Sequence, residues 1–104
     1  MTQEELAQWA QSNGWKLIED HPSLTKPNGT PIVRMVLKAT LAAIEIRKPS
    51  GKWDKVSSAA YAKIMADEDG FPRGLGLDTI YGLAKLMEEN KYRAVFAKMS
   101  APKS

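Results

Sequence analysis

The stretch Thr30–Tyr61, TPIVRMVLKATLAAIEIRKPSGKWDKVSSAAY, decides the fold. From Ile32 to Lys38, Val33, Met35 and Leu37 alternate with Arg34, Val36 and Lys38. From Leu41 to Lys48, Ala42, Ile44 and Ile46 alternate with Glu45 and Arg47. Both halves carry the period of two that marks a strand with one buried face. The apolar positions are odd in the first half and even in the second. Side chains on a strand alternate strictly, so the chain must turn or bulge near Lys38–Thr40. Length argues the same way. An unbroken strand from Ile32 to Arg47 would run ~50 Å, against a radius of gyration of ~13 Å for a domain of this size.

A helix is the rival reading, with Thr30 as its cap and Pro31 at its first position. Ile32, Val33, Val36, Leu37, Leu41 and Ile44 would then form its apolar stripe. Strands are preferred because Ile32, Val33, Val36, Thr40, Ile44 and Ile46 are β-branched. The next segment reads as a hairpin. Pro49-Ser50-Gly51-Lys52 separates Ile44–Lys48 from a strand at Trp53–Ser57.

Working outward, Thr2-Gln3-Glu4-Glu5 has the capping-box spacing and opens a helix with Leu6, Trp9 and Ala10 on one face. Asn13-Gly14 closes it. Trp9 is expected to anchor the core. Trp15–Asp20 reads as a short strand broken by His21-Pro22. Asn28-Gly29 is a hairpin signal, with Leu24-Thr25 pairing Ile32–Arg34. Pro27 and Pro31 so close together place that pairing at an edge.

Beyond the central stretch, Ser57 or Ser58 is expected to open a short helix, with Tyr61, Ile64 and Met65 on one face. Asp67-Glu68-Asp69-Gly70 is expected to end it. The acidic run fails the calcium-loop register, because a Gly70 at the sixth position puts Gly76 where the bidentate Glu belongs. Phe71–Leu77 is a glycine-bearing loop without the Gly-Lys-Ser/Thr of a phosphate loop. Asp78 sits as the N-cap of a helix with Ile80, Leu83, Ala84, Leu86 and Met87 as its stripe. The chain from Tyr92 to Met99 is expected to continue as helix, because Ala and Lys dominate its close.

The fold class that follows is α+β: an N-terminal helix, an antiparallel sheet of three or four strands, and two or three C-terminal helices packed on one sheet face. One domain is expected over 1–99, with a frayed tail over 100–104. With 104 residues and 43% hydrophobic content, the chain has the means to bury a core.

Composition narrows the chemistry. The absence of cysteine removes thiolate catalysis and cysteine-ligated metals. His21 is the only histidine, and it needs a partner acid and a nucleophile to act as a base. No catalytic residue, metal site or cofactor is expected. No apolar run approaches a membrane span. The N-terminus lacks the basic-then-apolar pattern of a secretory leader, so a cytoplasmic location is expected.

The net charge of +3 is small, but Arg34, Lys38, Arg47, Lys48, Lys52, Lys55 and Lys63 lie in or beside the central stretch against only Glu45 and Asp54. Arg34, Lys38, Arg47, Lys52, Trp53 and Lys55 are therefore the candidate binding residues. The preferred function is a non-catalytic binding or regulatory module whose partner is another protein. The second reading is nucleic-acid binding on a basic sheet face, with Trp53 as a stacking platform if its side chain lies outside the core. A homodimer through an edge strand or a Leu77–Met87 helix is compatible with a domain this small.

Overall fold

In the computed structural model, the backbone is described over residues 1–100 and side chains over residues 1–93. Helix α1 (Gln3–Ser12) starts on the expected capping box. The Thr2 hydroxyl accepts from the Glu5 amide, and the Glu5 carboxylate accepts from the Thr2 amide. Leu6 and Ala10 form its buried face.

Five strands follow as an antiparallel meander, each paired with the next in chain order: β1 (Lys16–Ile18), β2 (His21–Thr25), β3 (Pro31–Leu37), β4 (Leu41–Arg47) and β5 (Trp53–Ala60). The parity switch is resolved by a turn at Lys38–Thr40, which places Leu37 opposite Ala42 and Met35 opposite Ile44. The strand reading of the central stretch holds, and the helix rival is excluded.

Leu24, Val33, Met35, Ala42 and Ile44 are buried together with Leu6 and Ala10 of α1. Trp15, Ile64, Leu75, Leu77 and Leu83 complete the cluster. The register puts Leu24, Val33, Met35, Ala42 and Ile44 on one face of the sheet, under both helices, while on the other face Ser23 and Ala43 are buried among their neighbours and Lys55 is exposed. Each large apolar side chain buried this way contributes about 1.5–3 kcal/mol.

The structure corrects the expectation in several places. Among the described residues the sheet has five strands, and one α-helix, α2 (Leu83–Ser100), lies C-terminal to it. His21-Pro22 opens β2 and does not break the chain. The turn lies one step earlier, at Glu19 and Asp20, which both adopt left-handed backbone (φ 51° and 68°). That two-residue loop matches the twist of the strands it joins. β2 is interior, not an edge, because its backbone pairs with β1 on one side and β3 on the other.

No helix opens at Ser57 or Ser58. β5 runs on to Ala60, which pairs with Leu41, and only a single 3₁₀ turn (Tyr61–Lys63) follows. Ladder bonds to β4 outweigh the helix preference of Ala59 and Ala60. Asp67–Gly70 does not end a helix either. It is the turn of a small second hairpin, β6 (Met65–Ala66) with β7 (Pro72–Arg73). The Asp67 carboxylate accepts from the amides of Asp69 and Phe71 and pairs with Arg73.

Asp78 does not cap a helix. Leu77–Thr79 closes as one 3₁₀ turn, and Gly82 at φ 78° separates it from α2, which begins only at Leu83. The Leu77–Met87 helix proposed as a dimer surface is therefore not a continuous element. The backbone from Tyr92 onward is helical as expected, through Ser100. The rest of the expected tail, 101–104, lies outside the described residues.

The buried side of α2 docks on β2 through Asn90. Its amide donates to the Thr25 and Leu86 carbonyls, and its side-chain oxygen accepts from the Thr25 amide and hydroxyl. Arg93 donates to the Thr25 hydroxyl and to the Lys26 and Pro27 carbonyls, tying α2 to the turn after β2. Among the described residues, no helix is long and apolar enough to cross a membrane.

Candidate interaction surfaces

The face of the sheet opposite the helices carries one continuous row. Lys16, Ser23, Arg34, Glu45 and Lys55 are register partners in succession across all five strands. Arg34 and Glu45 form an ion pair with N–O at 2.7 Å. The Arg34 guanidinium also lies over the Trp53 ring, 4.2 Å from its centroid. Trp53 is half-buried on this outer face, opposite Arg47, and it does not belong to the buried core. The choice between a buried and an outer-face Trp53 is thus resolved toward the outer face.

The candidate residues do not all come together. Arg34, Arg47 and Trp53 border one cleft of about 340 Å³, with Ser23 behind them and Ile18 and Glu19 from the tip of the first hairpin. Lys55 stands beside it in the row. Lys52 belongs to the turn between β4 and β5, where its carbonyl accepts from the Lys48 amide. Lys38 sits at the opposite end of β3, and its carbonyl accepts a 2.6 Å bond from the Tyr61 hydroxyl. Burial raises the Tyr61 pKa above the ordinary tyrosine value.

A larger cleft lies elsewhere. It measures about 630 Å³ and opens at the end of the sheet where the β2–β3 and β4–β5 turns project, against the Ile80–Leu86 stretch. Ile32, Ile46, Ile80, Leu83 and Leu86 form its apolar lining. Lys26, Arg47, Lys48 and Lys85 form its rim, opposed by one carboxylate, Glu89. A second cleft of about 510 Å³ shares Ile80, Gly82 and Leu83 with it. Tyr81 is fully exposed at this junction.

Of the six candidate binding residues read from the sequence, only Arg47 borders this larger cleft. A signal for it exists in the chain, because Lys-Pro-Asn-Gly at 26–29 and Lys-Pro-Ser-Gly at 48–51 are near-copies. In a meander, alternate turns lie at the same end, so the two copies become neighbours.

Among the described residues, no group of three or more His, Asp or Glu is placed to hold a metal ion. His21 sits in β2, and among the described residues its ring makes no hydrogen bond to an acid or a nucleophile. Fold and surface together define a small α+β domain with its helices on one face of the sheet. Comparison with family models, curated proteins and solved structures returned no match to the chain.

Proposed function

We propose that this chain is a non-catalytic binding module whose partner is another protein. The observation that carries the reading is the larger cleft, in which aliphatic side chains are ringed by cations and bordered by the fully exposed Tyr81. Apolar surface of this kind with a polar rim is the usual anatomy of a recognition site. A photo-crosslinking residue at position 81, introduced in the cells of origin, tests it. The reading expects protein adducts that resist nuclease and are absent when the same residue stands at position 38. Nuclease-sensitive adducts would overturn it.

Nucleic-acid binding is kept as the second reading because Trp53 lies on the outer face near Arg47 and Lys55. Two features count against it. Glu45 neutralises Arg34, and Arg34 occupies the face of Trp53 on which a base would stack. Anisotropy of labelled single- and double-stranded oligonucleotides at low and physiological salt separates the readings. A steep salt slope, abolished in the Arg47, Lys52 and Lys55 triple alanine variant, would favour nucleic acid.

A further inference from the structure

The two Lys-Pro turns are built alike. In the first, the Gly29 amide donates to the Lys26 carbonyl at 2.8 Å and the Lys26 amide to the Thr30 carbonyl at 2.9 Å. In the second, Gly51 donates to Lys48 and Lys48 to Lys52, both at 2.8 Å. Proline presets the corner of each turn, and glycine takes the left-handed position (φ 89° and 90°). Two rigid turns of the same shape therefore stand side by side at one end of the sheet, each starting with a lysine. Arg93 holds the first in place through the Lys26 and Pro27 carbonyls.

Between these turns and α2 lies the larger cleft. Its four cations, Lys26, Arg47, Lys48 and Lys85, form no ion pair among the described residues. Arg34 and Arg73, by contrast, are both paired. Unpaired cations around an aliphatic floor leave a positive potential that an anionic partner would complement. The first turn of α2 faces the same space and adds the positive end of its dipole.

We infer that this cleft docks an acidic segment of a partner protein, one that places bulky apolar side chains between carboxylates. The inference rests on the protein-binding reading and names the surface and the chemistry of its partner. The apolar side chains enter over Ile32, Ile46, Leu83 and Leu86, and the carboxylates meet the rim. Nucleic acid fits this cleft poorly, since its floor is aliphatic and Tyr81 is the one aromatic ring among its lining residues, where a single strand is held by stacking successive bases. A second copy fits poorly too. Its acidic turn, Asp67-Glu68-Asp69, carries no apolar side chain between its carboxylates.

The test pans a random 12-residue peptide library on the folded full chain and measures the enriched peptides by anisotropy. The proposal expects peptides rich in Asp or Glu with Leu, Ile or Phe. Their affinity should fall about tenfold or more in a K48E/K85E double variant and stay unchanged in a K38E/K63E control. Both substituted rim positions are exposed, and far-ultraviolet circular dichroism checks that each variant is folded. Binding should weaken with added salt, as rim charges require.

Basic or uncharged peptides, or acidic peptides indifferent to K48E/K85E, would overturn the proposal. If enriched peptides lose affinity instead in a K55E variant, the protein-binding reading survives and this cleft is the wrong surface. If no peptide is enriched while oligonucleotides bind with a steep salt slope, both fail. Concentration-dependent self-association abolished by K48E/K85E would replace the partner with a second copy.

Discussion

Arg34 on β3 lies between Glu45 and Trp53, paired to the first at 2.7 Å and 4.2 Å from the ring centroid of the second. This one side chain ties three neighbouring strands together on the outer face. It also explains how a large aromatic can sit outside the core without leaving its ring bare.

Trp53→Ala should therefore leave the fold intact. The expected cost is about 1 kcal/mol, the worth of a partly exposed cation–π contact with some lost area. Urea denaturation measures it. A loss of about 3 kcal/mol or more, typical of core aromatics, would contradict the outer-face placement.

Asn90→Ala should be much more costly. Asn90 is buried, and its side chain satisfies both the amide and the carbonyl of Thr25. Removing it leaves two buried backbone groups unpaired, for about 3 kcal/mol in total. The same denaturation experiment reads this loss, which should appear as a lower midpoint with an unchanged slope.

Gly14 and Gly29 share the same backbone conformation (φ 87° and 89°) but differ in surroundings. A Cβ at Gly14 would lie 2.5 Å from the Lys91 amide nitrogen, whereas at Gly29 nothing lies within 4 Å. Gly29→Ala should cost only the left-handed strain, about 1 kcal/mol. Gly14→Ala adds a clash with the backbone of α2 and should cost at least about twice that. Equal losses at the two sites would mean that α2 does not approach α1 at Gly14.

Acid should loosen the β6–β7 turn. The amide of Phe71 holds the Asp67 carboxyl below its ordinary pKa, helped by Arg73 and the Asp69 amide against the effect of burial. A depressed folded-state pKa contributes stability above the unfolded value, and that stability is lost as pH falls through the folded one. Asp67→Asn should keep the turn, since its side-chain oxygen still accepts both amides, while removing this pH dependence. Thermal melts from about pH 6 to pH 2, spanning the carboxylate range, should thus converge for wild type and variant at the acid end. Parallel curves would contradict the assignment.

What the sequence showed and what it hid have physical causes. β3 and β4 were legible because Arg34 separates Val33 from Met35 and Glu45 and Arg47 flank Ile46, which gives a period of two, and α1 because its capping box is local. The extension of β5 was hidden because Ser58, Ala59 and Ala60 have no strand preference and follow β4 only through pairing. The first hairpin was hidden because its turn uses Glu19 and Asp20 where glycine or asparagine would have announced it. Asp78 resembled an N-cap, but Gly82 interrupts the helix beyond it. On the outer face, Arg34, Arg47 and Lys55 follow from strand parity, whereas Trp53 shares that parity against the burial habit of a large aromatic, which leaves its face open in the sequence. The larger cleft was not, since Lys26, Lys48 and Lys85 are brought together only by the meander and the return of α2.

Acidic-peptide docking in the larger cleft is tested by an amide-resolved nuclear magnetic resonance titration of the full chain, with an enriched acidic peptide and separately with a single-stranded oligonucleotide. Docking in the larger cleft gives peptide-induced shifts at Arg47, Lys48, Tyr81, Gly82 and Lys85, and none from the oligonucleotide. Shifts centred on Arg34, Glu45 and Lys55, with either ligand, would contradict it.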